Sequence, residues 1–330
     1  MENSKNIPHQ SAPNTAAVAI PKRLLLSVYL IVPTLVAIVL IDIFYFDATL
    51  RPYMGVEALL LPAFIFLFVL PHIIASFFSF FDNEYVSYYR RHLFLYLPLV
   101  LIGTALLLYF DYRLGIAFFL INDVWHGVKQ KVGIGLILGA RPNWLFHTWK
   151  LLPFVTTSIA ILYYVSPSVI PFWFIQYISP VLFVGAILIL ATMVAMVIRS
   201  AASVKWYVFA VSGLFLASYL FILVEYLFFA ILAFRFVHDV SAFAFYATHD
   251  QNRAKVGGKN WFYQLFKMVP ASTLVMTVIL GFGLAALVRY VAGGLAIGYS
   301  IVILIAMTHY YLEAIMWKRN SPHRQHVRVE

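Results

Sequence analysis

The chain has 330 residues, 63% of them hydrophobic and only 11% charged, far below the roughly one-quarter charged content of a soluble domain. It has no cysteine, which excludes disulfides, thiolate metal ligands, iron–sulfur clusters and cysteine nucleophiles. The net charge of +10 does not point to nucleic acid, because the basic residues flank apolar runs, where membrane topology accounts for them.

Residues 1–23 read as a disordered cytoplasmic tail ending at Pro21-Lys22-Arg23. The apolar run that follows is longer than a signal-peptide core and lacks a small-x-small cleavage site, so it is expected to stay as an anchor. Runs long enough to cross a bilayer recur from there on. They predict ten spans, at 24–46, 58–81, 93–110, 114–139, 151–165, 180–198, 206–224, 226–248, 271–288 and 294–316. The expectation is an all-α, polytopic membrane helix bundle forming a single domain over 24–317, with a basic cytoplasmic tail over 318–330. The link Asp111-Tyr-Arg113 makes its two helices antiparallel neighbours. The fifth span is short and contains Pro153, which predicts a tilt or a break. Pro171-Phe-Trp-Phe-Ile175 reads as interfacial. Lys and Arg gather in every second connection, and only Arg51, Arg113 and Arg289 fall in the others. By the positive-inside rule, both termini are expected in the cytoplasm, with the chain in the inner (cytoplasmic) membrane.

The fourth run carries Asn122-Asp-Val-Trp-His-Gly-Val-Lys-Gln-Lys131. At 100° per residue, Asp123, His126 and Gln130 share one narrow helical stripe. A charge at the bilayer centre costs at least ~2.5–3.5 kcal/mol on insertion scales, so this stripe should face a partner, a cavity or a metal.

His72, His126, His238 and His309 lie in spans two, four, eight and ten, which run in the same direction. Counting back from each inner end puts them in one layer at depths of roughly 10–20 Å. His92, His147 and His249 are expected in a shallower layer, and His9, His323 and His326 in tails. His309 and Glu313, four residues apart, share a face that suits two ligands of one metal. Arg235 and Asp239 have the same spacing and can pair, leaving His238 to face the cavity. His238 and His249 are nearly in line but ~16 Å apart along the axis, too far to bind one ion. Pro71 loosens the backbone beside His72. Lys129 and Lys131 are expected to snorkel. Asp123 or Glu313 is a carboxylate ligand or an acceptor that orients a histidine, and Gln130 and Tyr246 are further orienting groups.

A single intramembrane histidine is as readily an interhelical hydrogen-bond donor as a ligand. Four in one layer point to a metal or haem. Iron leads because imidazole and carboxylate ligands from separate helices leave positions open for O2, and zinc is the alternative. Histidine-rich motifs on the cytoplasmic side resemble the membrane-bound non-haem iron oxygenases, the class that includes fatty-acid desaturases and hydroxylases, although the HxxxH and HxxHH boxes are absent. The motif order is similar to that of the Brp/Blh-type β-carotene-cleaving oxygenases: Pro71-His72, then His126, then a helix with His238 and His249, then His309. That family's Pro-His-Gly-Ala-like box reads Pro71-His-Ile-Ile74 here, and its histidine pair is closer together than His238 and His249. The resemblance implies one or two iron (Fe2+) ions ligated by His72, His126, His238 and His309. It also implies O2, an electron donor and an apolar small-molecule substrate such as a carotenoid, another isoprenoid or a fatty acyl chain. The rival expectations are a b-type cytochrome with haem b held by paired histidines, and a proton-coupled transporter with Asp123, His126, Lys129, Arg235 and Asp239 along a polar path.

Overall fold

The computed structural model describes residues 17–55, 62–256, 260–266, 271–293, 295, 297–318 and 320–330. Those residues form helices and no strand. In chain order the helices are α1 (Lys22–Tyr45), α2 (Pro62–Phe68), α3 (Leu70–Ala75), α4 (Asn83–Tyr88), α5 (His92–Phe110), α6 (Tyr112–Ile137) and α7 (Trp144–Val165). Then come α8 (Phe172–Ile175), α9 (Ile178–Arg199), α10 (Ala202–Leu223), α11 (Leu227–Lys255), α12 (Trp261–Phe266), α13 (Thr273–Gly293) and α14 (Gly298–Met316). Eight of these are long and apolar enough to cross a membrane, the architecture of a multi-pass membrane protein.

The other two expected spans depart from plain apolar helices. α6 has the length but carries Asp123, Lys129 and Lys131 in its central and later turns. The second expected span, 58–81, has residues 58–61 outside the described set and is not one helix: α2 stops at Phe68, Val69 turns to φ −125° and ψ −59°, and α3 restarts with Pro71 in its first turn. Proline supplies no N–H to the carbonyl four residues back and crowds the residue before it, so the chain breaks where His72 must be aimed.

Elsewhere the helices run further than hydropathy indicated. The fifth span begins at Trp144, capped by Asn143 Oδ1 accepting from the Phe146 N–H at 2.9 Å, and passes through Pro153 unbroken. The eighth continues to Lys255, beyond the expected end at 248, and carries both His238 and His249 as expected. Asp111 alone links α5 to α6, its carboxylate accepting from the N–H groups of Arg113 at 3.1 Å and Leu114 at 3.2 Å.

The two described ends of the chain are docked together. Residues 1–16, including His9, lie outside the described set, but residues 17–21 of the expected disordered tail are held. Val18 N–H donates to Asn252 Oδ1 at 2.8 Å, and Ile20 forms a parallel bridge with Val329. Residues 320–330 fold back over the same end, and His323, expected in a tail, is fully buried. One apolar core joins α1, α6, α7, α9, α10 and α11, a second joins α3, α4 and α11–α14, and a third joins α3, α5, α6 and α14. The polar residues sit where α3, α6, α11 and α14 meet.

Candidate metal centre

Each of those four helices contributes one histidine. Ring centroids are 5.0 Å apart for His72 with His238 and with His309, 4.9 Å for His126 with His238, and 4.8 Å for His126 with His309. The rings meet edge to face, and none is more than 7% exposed. The four residues placed in one layer by counting along the spans thus converge in space. Two glycines permit the approach: a Cβ on Gly127 would stand 2.5 Å from the Phe234 ring, and one on Gly281 would stand 3.0 Å from the Pro71 carbonyl oxygen. At either position a side chain would force a neighbour to shift, so α6 lies close on α11 and α13 on α3.

The hydrogen bonds fix how His309 presents itself. Ser76 Oγ–H donates to the Ile73 carbonyl at 2.6 Å, so at 2.9 Å it accepts from His309 Nδ1–H. That leaves His309 Nε2 with a lone pair, 3.1 Å from His126 Nε2. Glu313 Oε2 lies 3.3 Å from the same His126 nitrogen. His72 Nδ1 is 3.2 Å from Asp239 Oδ1, but the pair lacks the alignment of a hydrogen bond. Both ring nitrogens of His72, both of His238 and both oxygens of Asp239 are buried without a hydrogen-bond partner. Two groups of donor atoms, from His72, His238 and His309 and from His126, His309 and Glu313, each lie within 4.8 Å of one another and could hold a metal ion.

Around the histidines the pairing differs from the sequence expectation. Arg235 bonds Asp123 on α6 at 2.5 Å and not Asp239 on its own helix. Among the described residues Asp123 makes no hydrogen bond or ion pair with a histidine, so it is not the direct orienting acceptor expected of it. Its other oxygen accepts from the Tyr310 hydroxyl, and the Tyr310 ring stacks on His126 at 4.5 Å. Glu313 accepts from the Tyr246 hydroxyl and, at 3.3 Å, from Trp317 Nε1, while its second oxygen faces His126. Gln130 Oε1 is buried without a partner, and among the described residues no hydrogen bond ties Gln130 to a histidine. Lys129 is exposed, as snorkelling requires, but Lys131 is 1% exposed, with its ammonium 3.5 Å above the Phe234 ring. Asp239, Ser76 and Tyr310 were missed as neighbours of the cluster. The HisAsp dipeptide at 238–239 and the Tyr next to His309 were the available signals, since a carboxylate or hydroxyl behind a ligating imidazole is common.

The expected shallower layer of His92, His147 and His249 does not form. His147 is exposed, and His92 Nδ1 meets the Tyr311 hydroxyl at 2.7 Å. His249 instead gathers with His323, stacked at 4.9 Å, and with His326 at 5.7 Å. This second cluster is saturated: His249 meets Tyr85 Oη at 3.0 Å and Asp250 Oδ1 at 2.9 Å, while His323 meets Tyr89 Oη at 3.2 Å and Ser79 Oγ at 2.9 Å. Burial holds His323 well below the usual imidazole range and His326 down at about 3, with the neighbouring His249 and Arg253 adding to both shifts. Burial likewise pushes the Tyr85 and Tyr89 hydroxyls up. Every ring nitrogen of His249 and His323 has a hydrogen-bond partner, whereas among the described residues those of His72 and His238 have none.

No family model, curated protein or solved structure matches this chain.

Proposed function

We propose that the chain is a membrane-embedded, iron-dependent oxygenase acting on a long apolar substrate such as a carotenoid, another isoprenoid or a fatty acyl chain. It would sit in the cytoplasmic membrane with both ends inside, take O2 and an electron donor as partners, and bind no nucleic acid. The observation that carries this reading is the contrast between the two histidine clusters. In one, both ring nitrogens of His249 and of His323 are hydrogen-bonded, and in the other six buried ring-nitrogen and carboxylate atoms lack an aligned hydrogen bond. Each unpaired buried atom costs roughly 1–3 kcal/mol, so together they rival the whole stability of a typical fold, about 5–15 kcal/mol. Each neutral imidazole offers one lone pair and the carboxylate offers more, and the neighbouring Arg235 is engaged by Asp123. A cation satisfies such a set.

Metal–nitrogen bonds are ~2.0–2.1 Å, so two donors on one ion stand no more than about 4 Å apart. The 3.1 Å between His126 Nε2 and His309 Nε2 falls within that limit. His72, His126, His238 and His309 would hold the ion, with Glu313 the nearest carboxylate. An imidazole and carboxylate set without thiolate suits iron, and bound iron supplies the redox chemistry with O2 that a hydrocarbon lacking an acidic or electrophilic group requires. The chain's own residues do the rest. Ser76 keeps the proton of His309 on Nδ1, Asp239 stands behind His72, and Tyr310, anchored by Asp123 and Arg235, backs the His126 ring. Burial of all four imidazoles keeps bulk water out. Haem b fits less well, since edge-to-face rings at 4.8–5.0 Å leave no porphyrin-sized gap between any of these pairs.

The test is metal content and the optical spectrum of the purified protein, together with two alanine variants. His238→Ala should empty the site in a protein that still inserts, and His249→Ala should keep most of the metal. A protein without transition metal, a porphyrin spectrum, or the reverse order of the two variants would sink the reading.

A further inference from the structure

Glu313 connects the deep cluster to a pair of oxidisable rings. Its Oε2 faces His126, while its Oε1 accepts both the Tyr246 hydroxyl and the Trp317 indole N–H. Tyr246 is 2% exposed and lies 6.4 Å from the His309 ring, centroid to centroid. Trp317 stacks on Tyr246 at 6.0 Å with an interplanar angle of 26°. On its far side Trp317 reaches the second cluster, 6.2 Å from His323 and 6.4 Å from His249. It is half-buried and follows directly on α14, at the end of the bundle where the two docked chain ends lie. Tyrosine and tryptophan are the side chains that most readily give up one electron. A buried phenol can do so only if its proton has somewhere to go, and a carboxylate already hydrogen-bonded to it is such an acceptor.

We infer that Trp317 and Tyr246 form a one-electron relay between the surface at the docked chain ends and the histidine cluster, with Glu313 as its proton acceptor. The inference rests on the proposed metal centre, which supplies the inner electron acceptor, an oxidised transition-metal ion. Tyr246 gives that ion one electron and passes its phenolic proton to Glu313 Oε1, so that the phenol O–H bond breaks and a carboxyl O–H bond forms. The resulting neutral phenoxyl takes one electron from the Trp317 indole and recovers its proton from Glu313. The oxidised indole is refilled by a one-electron protein reductant docked at that surface. The net result is one electron moved inward, with every proton back where it began.

The cysteine-free chain allows a direct test that needs no metal. A single Lys318→Cys carries a ruthenium bipyridyl photo-oxidant beside Trp317 in the full-length, chelator-treated protein, and a flash with a soluble quencher injects an oxidising equivalent there. Electron paramagnetic resonance should then show a tyrosyl radical that is lost in Tyr246→Phe, which keeps the ring but cannot form a phenoxyl. In Trp317→Phe the signal should fall to the unlabelled background, and Trp317→Tyr, which restores an oxidisable ring, should recover it. In Glu313→Gln the oxidising equivalent should remain on tryptophan. A tyrosyl signal as strong in Tyr246→Phe or Trp317→Phe as in the labelled parent overturns the relay. Iron content measured on untreated protein separates the two ideas: an iron-free protein with an intact Trp317-to-Tyr246 signal removes the metal centre and leaves the electronic contact standing.

Discussion

At the scale of single residues, the deep cluster depends on a buried ion pair that is local to neither helix. Arg235 and Asp123 are each 8% exposed and bond at 2.5 Å, so removing one partner leaves the other charged and unsatisfied, a loss of about 3–5 kcal/mol. Asp123→Asn should therefore lower resistance to thermal or detergent-induced unfolding by about that amount, whereas Asp123→Leu combined with Arg235→Met should recover most of it. In the double variant Tyr310 loses its acceptor, so metal affinity should stay depressed by about 10–100-fold, the usual effect of losing a group behind a ligand. Equal instability of the single and double variants would mean that the pair is not what holds the helices. The histidines were legible in the sequence because depth along a helix is a matter of counting. The partner of Arg235 was not, because four-residue spacing reports only neighbours on one helix and is blind to the helix packed across from it.

At the scale of elements, two departures aim the site. The interruption at Val69 was signalled by Pro71, and its consequence, a short helix that turns His72 inward, is carried by the packing of α13 on α3 through Gly281. The extension of α11 to Lys255 was hidden by its polar last turns, whose hydropathy falls although the helix continues. Those turns survive because Asp250 accepts from the Tyr263 hydroxyl at 2.5 Å and from Thr277 Oγ1 at 2.9 Å, and Arg253 bonds Asp82 and Glu84. Against this surface lies the segment 320–330, with His323 as its plug. His323 and His326 have pKa values held down when docked, so the undocked segment takes up protons that the docked one refuses. Docking is then undiminished above about pH 6.5, the ordinary imidazole value, and weakens as the pH falls toward the docked values. The slope is at most about 1.4 kcal/mol per pH unit for fully buried His323 and less for half-buried His326. Hydrogen exchange of residues 320–330 should accelerate between pH 7.5 and pH 5, and His323→Gln should flatten that dependence. A pH-independent exchange rate would remove the histidines from the docking.

At the scale of the whole molecule, hydropathy alone revealed a helical membrane bundle, because burying backbone polar groups in hydrocarbon leaves few other solutions. The bridge between Ile20 and Val329 brings both described ends together, which requires an even number of crossings, a condition that eight and ten spans both meet. The sidedness is proposed from the clustering of Lys and Arg, and a cysteine-free chain suits its measurement. Single cysteines at Ser200 and Arg324 should be labelled from the cytoplasmic face, and one at Tyr53 from the opposite face. Labelling of Ser200→Cys and Tyr53→Cys from the same side would break the topology. What hydropathy cannot supply is which helices touch, and so the meeting of α3, α6, α11 and α14 had to be seen.

The clasp between Ile20 and Val329 also sets an order of events in biosynthesis. His309 and Glu313 sit on α14, which leaves the ribosome after α3, α6 and α11, while His72 and His126 are inserted long before. A nascent chain therefore holds its early histidines apart from their final partners until α14 emerges, and only after that can residues 17–21 close on residues 320–330. A chain interrupted before Gly298 would lack the residue at which the two donor groups meet. Loading of the proposed ion thus follows the emergence of α14, and the clasp closes later still, once residues 320–330 have been made.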